Sequence, residues 1–230
     1  MAEAIDYKTY MIQMSDNPVS QMYRRSVLKS WKKYNESFVD FEAVTPKDLV
    51  YRNELKFGIK KSKSGKRDFT LTEKAVWYSH FDLWCLSIRK RRKILVIEHD
   101  SKLVKPLPDL SKEGYKFLSF NKGKLKNRVT STSKHTGSYR SLTPGSGYYI
   151  VPAVAERLVA NAVANTININ SDGFIATILN FKAQKKMDDY YYIEQINFDG
   201  LNTIDHRTSK RKYIGLDYED IDLSSVHRQA

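Results

Sequence analysis

The chain of 230 residues contains a single cysteine, Cys85. One cysteine excludes an intramolecular disulfide framework and a cysteine-rich zinc site. No apolar run approaches the roughly 18 residues that a membrane-spanning helix needs, and the amino terminus has no signal-peptide core. These absences predict a cytoplasmic protein.

Three common catalytic motifs are also missing. The sequence has no GxxxxGK[ST] phosphate-binding loop, no GxGxxG after an apolar strand and no GxSxG nucleophile elbow. Each motif places a backbone turn where a phosphate or an activated serine is held. Their absence argues against the usual nucleotide-hydrolysing, dinucleotide-binding and serine-hydrolase designs.

Positive charge is abundant. Lysine and arginine total 39 against 26 acidic residues, a formal net charge of +13. Such a surplus favours a polyanionic partner, which would be nucleic acid, an anionic membrane face or a phosphorylated substrate. The alternative is an ordinary soluble protein with a high lysine content. The cations concentrate in segments 56–67, 89–93, 122–140 and 206–212.

The order of apolar patterns predicts an α/β fold. A strand over 7–13, a helix over 20–34 and a strand over 38–44 form a strand–helix–strand start. Thr70 and Glu73 match a capping box, and an apolar stripe on the helix that follows leads to a strand at 94–97. Further strands are predicted at 115–120, 147–151 and 190–196, with helices at 152–165 and from Asp172 to about 181. Residues 56–68 and 121–147 are predicted to be loops.

The segment "ILVIEHD" (94–100) holds the main candidate site. An apolar run enters Glu98, His99 and Asp100, at the strand end where open α/β sheets bind ligands. Two carboxylates at this spacing suit magnesium or manganese. Taken alone, the pattern is equally that of a polar loop start.

Four other residues have both an ordinary and a functional interpretation. His80 and Ser79 flank the apolar stripe of their helix, where an ordinary histidine would simply bond a neighbour. Asp172 near a helix start is a natural N-cap, and Arg24 fits a solvated helix face. Their order along the chain gives them more weight.

That order resembles glycosyltransferase family 25. The matching segments are "YMIQM", "YRRSVLKSW", "FVDFEAVTPKDL", "WYSHFDLW", "ILVIEHD", "GSGYYIVPAVAERLV" and Asp172 in "NSDGFI". The resemblance covers roughly residues 7–181. It departs at His99, where the family has the middle aspartate of Glu-Asp-Asp, and after the first strand, where "IQMSDNPVSQ" replaces an Asn-Leu and Arg-rich turn.

The resemblance implies a GT-A-like single domain, with a mixed, mostly parallel sheet flanked by helices. We expect this domain at 1–200 and a basic, then acidic, tail or lid at 201–230. It also implies a nucleotide-sugar donor such as a UDP-sugar, and a divalent metal, Mn or Mg.

The resemblance also implies roles for the candidate site residues. Asp100 would act at the metal–diphosphate, and Glu98 in the metal shell or at the donor ribose. His99 would replace an aspartate ligand, and Asp172 would be the base or acceptor anchor. The expected donor contacts are Ser79, His80 and Arg24.

The acceptor stays open at this point. A hydroxymethylated base in bacteriophage DNA would need a long basic surface, and the enzyme would then act in the host cytoplasm. Lipooligosaccharide is the alternative, since it too is anionic. A different class of function is also open, that of a non-catalytic nucleic-acid-binding protein with a degenerate glycosyltransferase fold. The expected phosphate-binding residues are Lys122, Lys124, Lys126, Arg128, Arg207 and Lys210.

Overall fold

A computed structural model describes residues 7–62, 65–110, 117–119, 147–179 and 192–196. In chain order the elements are β1 (Tyr7–Gln13), α1 (Pro18–Lys32), β2 (Val39–Glu42), a 3-10 helix (Pro46–Tyr51), β3 (Lys56–Phe57), β4 (Lys60–Ser62), β5 (Gly65–Arg67), α2 (Leu71–Lys90), β6 (Lys93–Glu98), β7 (Ser101–Leu103), β8 (Phe117–Ser119), β9 (Gly147–Ile150), α3 (Pro152–Ala164), β10 (Thr166–Ile167), α4 (Ser171–Leu179) and β11 (Ile193–Gln195).

The main sheet has five strands in the order β2-β1-β6-β9-β8. Strand β1 lies parallel to both β2 and β6, while β9 runs antiparallel to β6 and to β8. Helices lie on both faces, so the middle of the central strand β6, residues 94–97, is buried on both sides and is apolar. The predicted fold class, a mixed α/β sheet flanked by helices, is confirmed.

Helix α1 covers one face of the sheet. The Asn17 side chain caps it by accepting hydrogen bonds from the backbone N–H groups of Val19 and Ser20, at 2.9 and 3.0 Å. On its inner side Trp31 is fully buried and donates through Nε1 to the carbonyl of Ser101, at 3.0 Å. The helix thereby ties β7 to this face of the sheet.

Helix α2 covers the opposite face together with α3 and α4. The predicted capping box is present, because Thr70 Oγ1 accepts from Glu73 N–H and Glu73 accepts from Thr70 N–H. The predicted apolar stripe is largely buried, with Trp77 and Trp84 at its centre. The helix ends at Lys90, and the residue that caps it, Arg91, has a left-handed conformation with φ 48°.

The structure corrects two expectations. The predicted loop at 56–68 contains β3 and the antiparallel β4–β5 hairpin, because Lys60 and Arg67 both pair with Glu73 at the start of α2. The helical pattern over 152–165 predicts that Val163 faces inward with Val154, Leu158 and Ala162, but 49% of its surface is exposed.

Part of the predicted 121–147 loop lies outside the described residues. Within the described ranges no helix is both long and apolar enough to cross a membrane.

Candidate functional site

Strand β6 places successive side chains on opposite faces of the sheet. Ile94 and Val96 join the core under α2, whereas Leu95 and Ile97 join the core under α1. Strand alternation therefore directs Glu98 toward α2. The site is built where this strand ends.

On the α2 face, a buried chain of polar groups leads to Glu98. Trp84 Nε1 donates to the Tyr148 hydroxyl at 2.8 Å, and that hydroxyl lies 3.0 Å from His80 Nδ1. The other ring nitrogen of His80, Nε2, approaches Glu98 Oε1 at 3.6 Å. Burial lowers the pKa of His80 to about 4, so the imidazole is neutral at physiological pH.

Asp172 lies in the first turn of α4 and interacts electrostatically with the same two groups. Burial, and then the neighbouring Glu98 charge, raise the pKa of Asp172 to about 7, against an opposing effect of His80. A carboxyl group whose pKa is raised to this range by burial and a neighbouring acid titrates near neutral pH, as acid–base groups do. The structure thus brings together three predicted site residues, His80, Glu98 and Asp172.

Asp100 occupies a buried position just beyond the strand. Its Oδ2 accepts a hydrogen bond from Gln195 Nε2 at 2.7 Å. Its Oδ1 is buried and has no hydrogen-bond partner among the described residues. Burial raises the pKa of Asp100, and that buried charge in turn contributes to raising the pKa of Glu98 to about 8, after burial itself.

His99 points the other way. Its ring packs beside Tyr23 of α1, with ring centroids 5.6 Å apart, and it is buried. Burial lowers its pKa, against the opposing charge of Asp100. The three consecutive polar residues are therefore divided between the two faces of the sheet.

The resemblance to the family implies a divalent metal at these groups. In the part of the chain that the structure describes, no three His, Cys, Asp or Glu side chains are arranged to hold a metal ion. The buried, unpartnered Asp100 Oδ1 nevertheless fits a hard cation, with Glu98 as its neighbour. Such a cation would take most of its ligands from a diphosphate and water, as magnesium commonly does.

Two of the predicted donor contacts are engaged within the fold. The Ser79 hydroxyl donates to the Ala75 carbonyl at 3.0 Å and accepts from Val44 N–H at 2.9 Å. It therefore holds the segment after β2 against α2. Arg24 forms a two-point ion pair with Asp40 of β2, Nε to Oδ1 at 2.8 Å.

A second polar group lies at the same edge of the sheet, at the ends of β1 and β2. Gln13 Nε2 donates to Glu42 Oε2 at 2.9 Å, and Ser15 N–H donates to Glu42 Oε1 at 2.9 Å. Gln13 is buried and follows Ile12, which pairs with Glu98 across the sheet. This cluster extends the polar edge beyond the residues that the motifs pointed to.

Sequence reasoning missed the site roles of Tyr148 and Gln195. In the sequence, Tyr148 of "GYYIV" has the pattern of a core tyrosine, and only its hydroxyl distinguishes it from a phenylalanine. Gln195 is 95 residues away from Asp100 in the chain, and no spacing rule links them. The predicted phosphate-binding residues lie outside the described residues; they are Lys122, Lys124, Lys126, Arg128, Arg207 and Lys210.

These carboxyl groups follow the carboxyl end of a strand that is parallel to its neighbour β1, which is where open α/β sheets bind ligands. The family described as Glycosyltransferase family 25 (LPS biosynthesis protein) matches residues 7–175, well over half of the chain. The chain therefore belongs to glycosyltransferase family 25 and is a glycosyltransferase. The match includes every element from β1 into α4. No curated protein matches the chain.

Proposed function

We propose that this glycosyltransferase moves a sugar from a nucleotide-sugar donor to a hydroxyl group on a polyanionic acceptor. The observation that supports it best is the convergence of Glu98, His80 and Asp172 beside the buried Asp100 at the end of β6. Sugar transfer needs a proton acceptor and a means of neutralising the leaving diphosphate. The four residues supply groups suited to both.

Asp172 is the proposed base. Its pKa of about 7 means that the carboxyl group is ionised in a substantial fraction of molecules near neutral pH. The same pKa makes the carboxylate basic enough to accept a proton. Asp172 is half-buried at the start of α4, so part of the residue is accessible to solvent. The neutral His80 beside it does not pair with the carboxylate as an imidazolium, so the aspartate keeps its basicity.

Asp100 and Glu98 are the proposed groups for Mn or Mg at the donor diphosphate. When bound there, the cation would neutralise charge on the leaving group. Asp100 would present its unpartnered Oδ1, and Glu98 would complete the metal shell or contact the donor ribose. Glu98 faces α2, whereas His99 packs beside Tyr23 of α1, so the ligands proposed are Asp100 and Glu98 and not His99.

The acceptor proposed first is modified DNA, for example a hydroxymethylated base of bacteriophage DNA. It is supported by the net charge of +13. Cations along the chain would contact phosphates and make binding salt-dependent. The target base would be flipped out of the helix to reach the site.

A lipooligosaccharide or related glycan is the second candidate acceptor. It is favoured by the family description, which refers to LPS biosynthesis. This acceptor is also anionic, so net charge does not separate the two. A third outcome, a nucleic-acid-binding protein without transfer activity, would follow if the chain bound DNA but used no donor.

One experiment separates these outcomes. The protein is incubated with a panel of nucleotide sugars and manganese, together with either hydroxymethylated DNA or truncated lipooligosaccharide. A mass increase of one sugar on either acceptor identifies donor and acceptor together. Donor hydrolysis without an acceptor product would retain the donor assignment and reject both acceptors. DNA binding that does not weaken as salt rises would count against the DNA acceptor.

A further inference from the structure

Asp100 is held in place by a strand from the far end of the described chain. Strand β11 pairs antiparallel with β7, with Gln195 opposite Ser101 and Ile193 opposite Leu103. The backbone N–H of Ile196 donates to the Asp100 carbonyl at 2.8 Å. The backbone around Asp100 is therefore fixed from outside the family-matched residues 7–175.

The side chain of Asp100 is fixed by the same strand. Gln195 Nε2 donates a hydrogen bond to Asp100 Oδ2 at 2.7 Å. This bond engages only one of the two carboxylate oxygens. The remaining oxygen, Oδ1, is buried without a hydrogen-bond partner among the described residues. Burying an oxygen of a charged group in this way is unfavourable unless a ligand satisfies it.

The chemistry of the hydrogen-bond donor, the side-chain amide of Gln195, matters as much as its position. An amide orients a carboxylate but carries no charge, so Asp100 keeps its negative charge for a cation. A lysine or arginine at this position would orient the same oxygen and also neutralise it. Outer-shell partners of this type usually set the orientation of a metal-binding carboxylate.

We infer that Gln195 is the positioning residue that turns Asp100 Oδ1 toward the cation and diphosphate of the donor. The inference rests on the proposed function of Asp100 and extends it to a residue outside the family match. Gln195 is itself exposed, so its replacement removes the hydrogen bond with little disturbance of the core.

The test compares Gln195→Leu and Gln195→Lys with the wild type in the full chain. Gln195→Leu keeps the approximate size of the side chain and removes the hydrogen-bond donor. Gln195→Lys keeps a hydrogen-bond donor and adds a positive charge. Binding of Mn2+ and of Mn2+ with UDP is measured by calorimetry and by electron paramagnetic resonance, without acceptor. Glu194→Gln, an exposed change on the adjacent residue of β11, is the matched control.

We expect Gln195→Leu to weaken Mn2+ binding by about 10- to 100-fold, the usual effect of losing an outer-shell partner. Gln195→Lys should weaken it at least as much, because the ammonium group competes with the cation. Glu194→Gln should bind as the wild type does. Urea unfolding midpoints should agree among all four proteins, which separates positioning from stability.

Three results would overturn the inference in distinguishable ways. If Gln195→Leu binds Mn2+ with wild-type affinity, Gln195 does not position Asp100 for the cation, and the proposed function is unaffected. If the wild type binds neither Mn2+ nor Mn2+ with UDP, the metal role proposed for Asp100 fails and this inference fails with it. A large fall in the unfolding midpoint of Gln195→Leu would instead give Gln195 a structural role.

Discussion

The two ends of strand β6 have opposite chemistry. Its first residue, Lys93, closes a run of five consecutive cations that begins at Arg89, and the four before it are exposed. Its last residue, Glu98, leads into buried acidic groups beside His80 and Asp172. At about 3.3 Å per strand residue, the two ends are roughly 17 Å apart.

The exposed cations have a structural explanation, whereas the buried acids do not. Helix α2 ends at Lys90 and α1 ends at Lys32, and cations at a helix C-terminus are favoured by the helix dipole. Buried carboxylates instead cost stability unless they are paired. The comparison teaches that the costly burial of carboxyl groups, rather than the density of charge, distinguishes the end of the sheet where we propose the site.

The largest effect is expected from removing Asp100, the buried acid at this end of the sheet. We expect Asp100→Ala to reduce sugar transfer about 100- to 1,000-fold, because one preorganised charge-stabilising group commonly contributes that much. The measurement is the initial rate of acceptor product, with circular dichroism to verify the fold. Asp68→Ala, an exposed acid ahead of α2, is the control and should retain full activity. Unchanged activity in Asp100→Ala would reject the site.

Asp172→Asn should lower transfer about 100-fold or more, since a general base commonly contributes that much. In the wild type the rate should rise with pH through about 7, where Asp172 loses its proton. The variant should lack that step. A wild-type rate independent of pH in this range would remove Asp172 from the role of base.

Asp172 also links folding stability to pH. Because its pKa is raised from 3.8 to about 7, its contribution to the free energy of unfolding is complete below pH 3.8 and is lost as pH rises through about 7. Urea unfolding of the apo protein should therefore show the wild type losing more stability than Asp172→Asn between about pH 5 and about pH 8. Equal losses in the two proteins would contradict the raised pKa.

Tyr148→Phe tests whether the buried hydroxyl supports this end of the sheet. The change removes the acceptor of Trp84 Nε1 and the partner of His80 Nδ1. Leaving such buried groups unsatisfied should lower the free energy of unfolding by about 1–3 kcal/mol. The matched control is Tyr10→Phe on β1, a half-buried tyrosine whose hydroxyl makes no hydrogen bond among the described residues. Equal stability in the two variants would remove Tyr148 from the polar chain.

The sequence predicted those parts of the site that local patterns specify. The apolar run before Glu98 predicted β6, and Thr70 with Glu73 predicted the start of α2. Periodicity did not predict β7 and β10, because three and two residues are too few to show it.

Contacts distant in the chain were beyond prediction for a different reason. Gln195 reaches Asp100 across 95 residues, and Ser79 reaches Val44 across 35. Neither pairing follows from a spacing rule, because the β11–β7 pairing brings the first two residues together and the packing of α2 brings the other two together. The opposite directions of Glu98 and His99 do follow from strand alternation, once β6 is known to extend to Glu98.

The smallest expected effect belongs to the basic end. Replacing Arg89 and Arg92 with Gln and Arg91 with Asn, which tolerates the left-handed conformation, should leave transfer to a short acceptor unchanged. If this end binds a polyanion, the salt dependence of DNA affinity should flatten by about 0.9 per lost phosphate contact. The control neutralises Lys29, Lys32 and Lys33, the exposed cations at the end of α1. An equal effect in both triple variants would indicate net charge alone, and no effect in either would leave these cations with the helix-dipole role only.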